Sequence, residues 1–422
     1  MIRANNPNLR TWIPVPENSD FPIQNLPLGI IKRDEVHHVA MRIGDHVLDL
    51  ATLNKSGLLG VDFVDEVFVS ESINLCISLG KEMMRDLRNR VSRLLDDKHD
   101  DLRQDVDLRE SCLFHISKVE VCMPIKIGNY TDFYSSREHA FNVGSMFRDP
   151  ANALPPNWLH IPIGYHGRAS SIVLSGTPIH RPKGQSKAPN EESPSFGPSK
   201  QLDFELEMAF VTCKSNTLGT TISTDEAEDY IFGMVLFNDW SARDIQSWEY
   251  APLGPFLGKN FASSMSAWVV NLDALKPFRV EGPVQDPKPL PYLHFKDTHN
   301  YDIELEVLIE SPRFIPTRIA HSNYKYMYWN MAQQLAHHAS NGCNIQIGDL
   351  YASGTISGPI KDSYGSMLEL TWRGAEPMKM PDGTERKFIN DHDKIYMRGF
   401  ARNEQVRIGF GELVTEVLPA KN

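Results

Sequence analysis

The sequence predicts a mostly β fold of the α+β kind, in two parts that meet near residue 120. Three observations carry this. From Cys122 onward, short β-rich runs such as IPIGYHG, QLDFELEMAFV, FGMVLFND, IELEVLI and VRIGFGELVTEVL alternate with Gly and Pro, the pattern of strands closed by turns. Few helical patterns lie between them, which disfavours a doubly wound parallel sheet. At 422 residues the chain is long for one hydrophobic core, so two units are expected, 1–120 and 121–422.

In chain order, a Pro- and Asn-rich start leads into strand-like LGIIKRDE, HHVAMRIGD and HVLDLATL. Ser70 to His99 reads as helix, because Leu75, Leu79, Met83, Leu87, Val91 and Leu94 recur every three or four residues among charges. In the second unit the helical patterns are Thr224 to Ile231 and Asn323 to Ser340, the latter stopping before Gly342 in the manner of a C-cap. Segment 181–200, RPKGQSKAPNEESPSFGPSK, reads as a long polar loop.

Composition narrows the function. A net charge of -11 argues against a nucleic-acid partner, since neutralising phosphates needs a basic face. It leaves an anionic substrate open, because arginines can gather in one cleft. Five cysteines without C-x-x-C spacing point to a reducing compartment and buried thiols. The amino terminus lacks an apolar signal region, and no apolar run approaches the roughly 20 residues that span a bilayer. A cytoplasmic protein without membrane contact is expected.

The chemistry concentrates in Gly128 to Arg148, GNYTDFYSSREHAFNVGSMFR, which holds Asp132, Tyr134, His139 and Arg148. A hard-metal ligand, a titratable base and anion clamps in one stretch are what hydrolysis of an anionic substrate requires. Downstream, Asp203, Glu205 and Glu207 alternate with apolar residues, as do Asp302, Glu304 and Glu306. Either strand could simply turn its acids to solvent, and periodicity does not choose between them. Asp239 and Asp132 each follow an apolar run, at a strand end or turn. Carboxylates gathered there would repel without a cation, and such oxygen ligands suit Ca2+ or Mg2+. His139 can take a proton from water, Arg148 and Tyr165 can clamp a carboxylate, and Lys259, held on the rigid turn YAPLGPFLGKNF, can stabilise an enolate. The motifs G-x-S-x-G, G-x-x-x-x-G-K-[ST] and H-E-x-x-H are absent.

Taken together, the phrases IGNYTDFYSSREHAFNVGSMFR, LPPNWLHIPIGYHGRASSIVLSGTPI, LDFELEMAF, FNDWSARDIQSWEYAPLGPFLGKNF, LYASGTISGP, GSMLELTWRG and IGFGE closely resemble the fumarylacetoacetate hydrolase family over about residues 124–412. The amino-terminal third resembles it more loosely. The resemblance implies a small SH3-like β-barrel domain followed by a mixed β-roll catalytic domain, assembled as a homodimer. It implies Asp132, Glu205, Glu207 and Asp239 as ligands of Ca2+ and/or Mg2+, His139 as general base and Glu369 as the carboxylate that orients it. Tyr134, Arg148, Tyr165, Gln246, Lys259 and Thr355 then fall on substrate-contacting positions, Lys259 and Gln246 also spreading charge on the leaving enolate. The implied reaction is C–C hydrolysis of a dicarboxylate β-diketone, 4-fumarylacetoacetate, to fumarate and acetoacetate, the last step of tyrosine and phenylalanine catabolism. Ser263 stands where relatives carry threonine and keeps the hydroxyl; Phe141 and Ser145 also depart from the family pattern. An acylpyruvate hydrolase, an oxaloacetate decarboxylase or a hydratase would share the acids but not the His139 stretch in this form. Intact His139, Glu369 and Lys259 argue against a catalytically dead binding protein.

Overall fold

The computed structural model describes residues 2–60, 63–188 and 190–422. Pro189, within the expected 181–200 loop, lies outside the described residues, as do Met1, Val61 and Asp62. The architecture is mostly β with short helices, as expected. Near the amino terminus, strands Leu28–Arg33, Val36–Ile43 and His46–Asp49 form an antiparallel meander, extended by Leu113–His115 at one edge and Glu120–Cys122 at the other. Two-residue turns close both hairpins. Asp34 and Glu35 take φ of 46° and 65°, and Gly44 takes 49°, the positive values that match the twist of the flanking strands.

The helix expected over Ser70–His99 is two helices, Asn74–Ile77 and Lys81–Leu95. Gly80, at φ 90°, breaks the run, a backbone value that glycine adopts freely. Consequently Leu75 and Leu79 are 46% and 39% exposed, while Leu87, Val91 and Leu94 keep the buried stripe. The helix expected over Asn323–Ser340 narrows to Met331–Ala339, because Asn330 and Gln333 form a capping box that sets its start. Tyr328 and Trp329 before it pack instead with Trp158 in an aromatic cluster. Thr224–Tyr230 forms as expected, again behind a capping box. Segment 181–200 contains a hairpin, Lys183–Ser186 with Ser195–Pro198, which its polar composition concealed.

The site rests on an eight-stranded mixed sheet. Its main path runs Gly164–His166, Tyr130–Phe133, Leu350–Ala352, Leu206–Thr212, Ile231–Asp239, Ser263–Met265 and Ile172–Leu174, with Val270–Asn271 also pairing to Ile231–Asp239. Successive side chains alternate between two cores. Leu206, Met208, Phe210, Met234, Leu236 and Tyr351 face one, shared with the five-stranded sheet that includes Glu304–Ser311 and Lys394–Arg402. Ala209, Val211, Val235, Phe237, Leu350 and Ala352 face the other, packed with amino-terminal Leu28, Ile30, Ile73, Leu87 and Val91. Backbone hydrogen bonds in both directions between Leu28 and Val269 fasten the two regions.

This second core should therefore be worth measurable stability. Leu350→Ala is expected to cost about 2–5 kcal/mol in urea unfolding, the range for emptying a fully buried leucine site. A loss under 1 kcal/mol would show that the amino-terminal region packs only loosely on the sheet.

Candidate active site

Alternation along the central strands places Asp132, Glu207 and Asp239 on the sheet face that, further along, carries Tyr130, Ala209 and Phe237. Asp132 opposes Ala352, which pairs onward with Ala209, and Glu207 opposes Phe237, two residues before Asp239. Glu205 joins them from a break in its strand. Leu202–Asp203 pairs with Ser241–Ala242, pairing with Ile231–Asp239 begins at Leu206, and Asn238 accepts the Glu205 N–H between. One oxygen of each of the four acids lies within 4.8 Å of the others, and all four residues are buried. Asp203, the third acid of the expected face, is elsewhere. It accepts the N–H groups of Met367 and Leu368 at 2.7 and 3.0 Å, and Arg243 Nε at 2.9 Å.

The cluster is only partly neutralised by protein cations. Lys259 Nζ contacts Glu205 at 2.5 Å and Asp239 at 2.8 Å, and Arg243 contacts Glu205 at 2.7 Å. Ser263 Oγ and Tyr165 OH donate to Asp239 at 2.7 and 3.1 Å. Against burial, Lys259 and Arg243 hold the Glu205 carboxyl below its ordinary range. Burial, then Asp239, pushes Asp132 far above that range, and burial, then Asp132, does the same to Glu207. Asp132 Oδ1 and Glu207 Oε1 are buried without a hydrogen-bond partner. Buried carboxylate oxygens left unpaired on an all-oxygen donor set fit a hard divalent cation.

His139 sits on helix Arg137–Phe147, which Ser136 caps through the His139 N–H. Its Nδ1 is 2.7 Å from Glu369 Oε2, and the edge-on Tyr134 ring packs 5.3 Å away. Glu369 lies on the short helix Met367–Leu370, capped by Ser366. Burial would raise the Glu369 carboxyl, but His139, Asn142 and Ser366 hold it below its ordinary range. Glu205 forms a backbone bridge with Ser366, whose Oγ donates to Glu369 Oε2 at 2.8 Å, so base and acids share one site.

The remaining expected residues divide. Tyr165 is tied to Asp239. Gln246 accepts from Arg243 at 3.3 Å, and Thr355 Oγ1 is buried without a partner. Arg148 is exposed and donates to Ala153 O at 2.7 Å. In the second acidic strand, Glu304 and Glu306 are half-buried and pair with His321 and Arg318, while Asp302 pairs with Lys325. The sequence reading missed Arg243, whose Nη2 is a buried donor without a partner. Its available signal was its place four residues after Asp239 in FNDWSARD.

Comparison with known proteins identifies the family of the chain. The model of the fumarylacetoacetate hydrolase C-terminal family matches residues 129–418, and that of the fumarylacetoacetase N-terminal family matches 24–124. Fumarylacetoacetase of Dictyostelium discoideum is 50% identical over 420 residues, covering 98% of each chain. The Homo sapiens enzyme is 49% identical, over 97% of this chain and 99% of its own. The Arabidopsis thaliana enzyme is 48% identical, over 98% and 99%. A solved fumarylacetoacetate hydrolase from Exiguobacterium antarcticum shares the fold, with TM-score 0.52, 18% identity and coverage of 94% of this chain and 100% of that one. With both family models matched in order and relatives this similar along nearly its whole length, the chain belongs to the fumarylacetoacetate hydrolase family.

Proposed function

We propose that this protein is a fumarylacetoacetase, hydrolysing 4-fumarylacetoacetate to fumarate and acetoacetate at the end of tyrosine and phenylalanine catabolism. The observation that carries the reading is four buried carboxylates and Lys259 set beside a histidine–glutamate pair. Relatives of that name at 48–50% identity support the substrate.

Asp132, Glu205, Glu207 and Asp239 would hold Ca2+ or Mg2+, which when bound supplies Lewis-acid polarisation of the diketone oxygens. His139 does the proton work. With Nδ1–H donated to ionised Glu369, Nε2 is the basic nitrogen, and it takes a proton from water as the water oxygen bonds to the fumaryl carbonyl carbon. The C–C bond to the acetoacetate carbon breaks, and its electron pair leaves on that fragment as an enolate. The proton on Nε2 returns to the carbon, and the two acids separate.

Burial disfavours the Lys259 ammonium, but Asp239 and Glu205 outweigh burial and raise it above its ordinary range. This ammonium and the unshared Nη2 of Arg243 offset the charge that builds on substrate oxygen. In this reading Tyr134, Tyr165, Gln246 and Thr355 contact substrate, and Arg148 leaves Ala153 O for a substrate carboxylate.

The division into units 1–120 and 121–422 is supported by the two family models, which end and begin at 124 and 129. Assembly as a homodimer is supported by apolar side chains standing out on one turn, where Tyr250, Leu253 and Phe256 are mostly exposed. A cytoplasmic location is supported by five free cysteines. Among the described residues no helix is long and apolar enough to cross a membrane.

His139→Gln is expected to lower kcat by about 10²–10⁴-fold with an unchanged circular dichroism spectrum, the usual worth of a positioned base. Near-normal turnover would remove His139 from that role. Glu207→Gln is expected to weaken cation binding, read by calorimetry, and turnover together; unchanged cation affinity would take Glu207 out of the ligand set.

A further inference from the structure

Glu369 is fully buried, yet its carboxylate is surrounded by donors on every side. Oε2 receives His139 Nδ1 at 2.7 Å and Ser366 Oγ at 2.8 Å. Oε1 receives Asn142 Nδ2 at 2.9 Å. Ser357 Oγ bridges both oxygens at 2.9 and 3.0 Å. Three of these four side chains, Asn142, Ser357 and Ser366, cannot take up a proton, and nothing in the proposed chemistry uses them. We infer that Asn142, Ser357 and Ser366 are positioning residues that lock the Glu369 carboxylate in one rotation and so fix which nitrogen of His139 is the base. This rests on the reading of His139 and Glu369 as the proton-transfer pair.

The geometry commits each donor. Asn142 lies three residues after His139 on helix Arg137–Phe147, so both project from one face. From that face they grasp different oxygens of the same carboxylate, which stops the group from turning to exchange them. Ser357 Oγ already accepts the Gly365 N–H at 3.0 Å, and Ser366 Oγ accepts the Glu369 N–H at 3.3 Å. Their hydroxyl hydrogens are thus left for the carboxylate. An ionised carboxylate only accepts, and one ringed by donors has no place for a proton of its own. The His139 nitrogen facing it must therefore carry hydrogen, which leaves Nε2 free to accept. The three neutral donors arrive from separate parts of the chain: the helix, the stretch after strand Leu350–Ala352 and the cap of helix Met367–Leu370. The carboxylate is a junction at which they meet.

The test is a set of double-mutant cycles on turnover of fumarylacetoacetate by the cation-loaded protein. Asn142→Leu and Ser357→Ala, each made alone, are expected to lower kcat by about 10–100-fold, the usual cost of losing an outer-shell partner. KM and cation affinity should stay within about twofold, and Ser357→Thr, which keeps the hydroxyl, should recover most of the loss. In a Glu369→Gln background the same substitutions should cost less than about twofold more, because they act through the charge already removed. A merely structural role would instead give losses that multiply across the two backgrounds. Multiplying losses, or unchanged kcat in Asn142→Leu and Ser357→Ala while Glu369→Gln is slow, would overturn the inference. Full turnover in Glu369→Gln would overturn the reading of the pair beneath it, and this inference with it. If Ser357→Ala does not fold, the Asn142→Leu cycle decides alone.

Discussion

The structure turns on the repulsion among four buried carboxylates. With oxygens no more than 4.8 Å apart, each ionised pair costs roughly 3.5 kcal/mol at an effective dielectric of about 20. All six pairs together would cost about 20 kcal/mol, more than the roughly 5–15 kcal/mol by which folded domains are stable. Lys259 and Arg243 cancel part of this, chiefly at Glu205 and Asp239. Asp132 and Glu207 are left in want of a positive charge, which explains why they hold the unpaired oxygens. Such a cluster persists only where the fold gives it no alternative. Here Asp132, Glu207 and Asp239 stand on paired strands, on the sheet face whose continuation is sealed by the amino-terminal core, and Glu205 joins them from the strand break. The amino-terminal region thus packs on the continuation of that face without contributing an acid to the site.

A continuous path of buried polar contacts carries the geometry of the acids to the base. Glu205 holds Arg243, Arg243 holds Asp203, and Asp203 accepts the first N–H groups of the helix that presents Glu369. Glu369 in turn fixes His139. Removing one member of a buried ionic chain leaves the next unpaired, which is far costlier than losing a surface ion pair. Acid cluster and base are therefore set in register with each other by a few residues spread over most of the catalytic region.

Much of this is legible in the sequence, and the failures have identifiable causes. Asp132 and Asp239 stand out because each closes an apolar run, which is where a strand delivers a side chain to a site. The alternation in QLDFELEMAF shows a strand but hides its break, since Asp203 turns to partners up to 165 residues away that no local pattern reveals. The same alternation in Asp302, Glu304 and Glu306 ends in ion pairs with Lys325, His321 and Arg318, so periodicity alone had no means of choosing. Resemblance to the family pointed to Asp132, Glu205, Glu207 and Asp239, the four acids that the fold gathers within 4.8 Å of one another. Arg243 escaped notice because a lone arginine reads as solvated surface, and its burial comes from long-range pairing with Asp203 and Glu205. Gly80 breaks the helix expected over Ser70–His99, and the longer apolar rhythm around it concealed the break.

The most direct measurement is the number of protons released when Ca2+ or Mg2+ binds the chelator-treated protein. It is obtained by calorimetry near neutral pH in buffers of different ionisation enthalpy. Because Asp132 and Glu207 are pushed far above the ordinary carboxylate range by burial and by their acidic neighbours, protons should occupy the cluster until a cation displaces them. About one or two protons should be released per ion bound. Tight binding with no proton release would mean that the four acids are already ionised, contradicting the claim that their mutual repulsion governs the site.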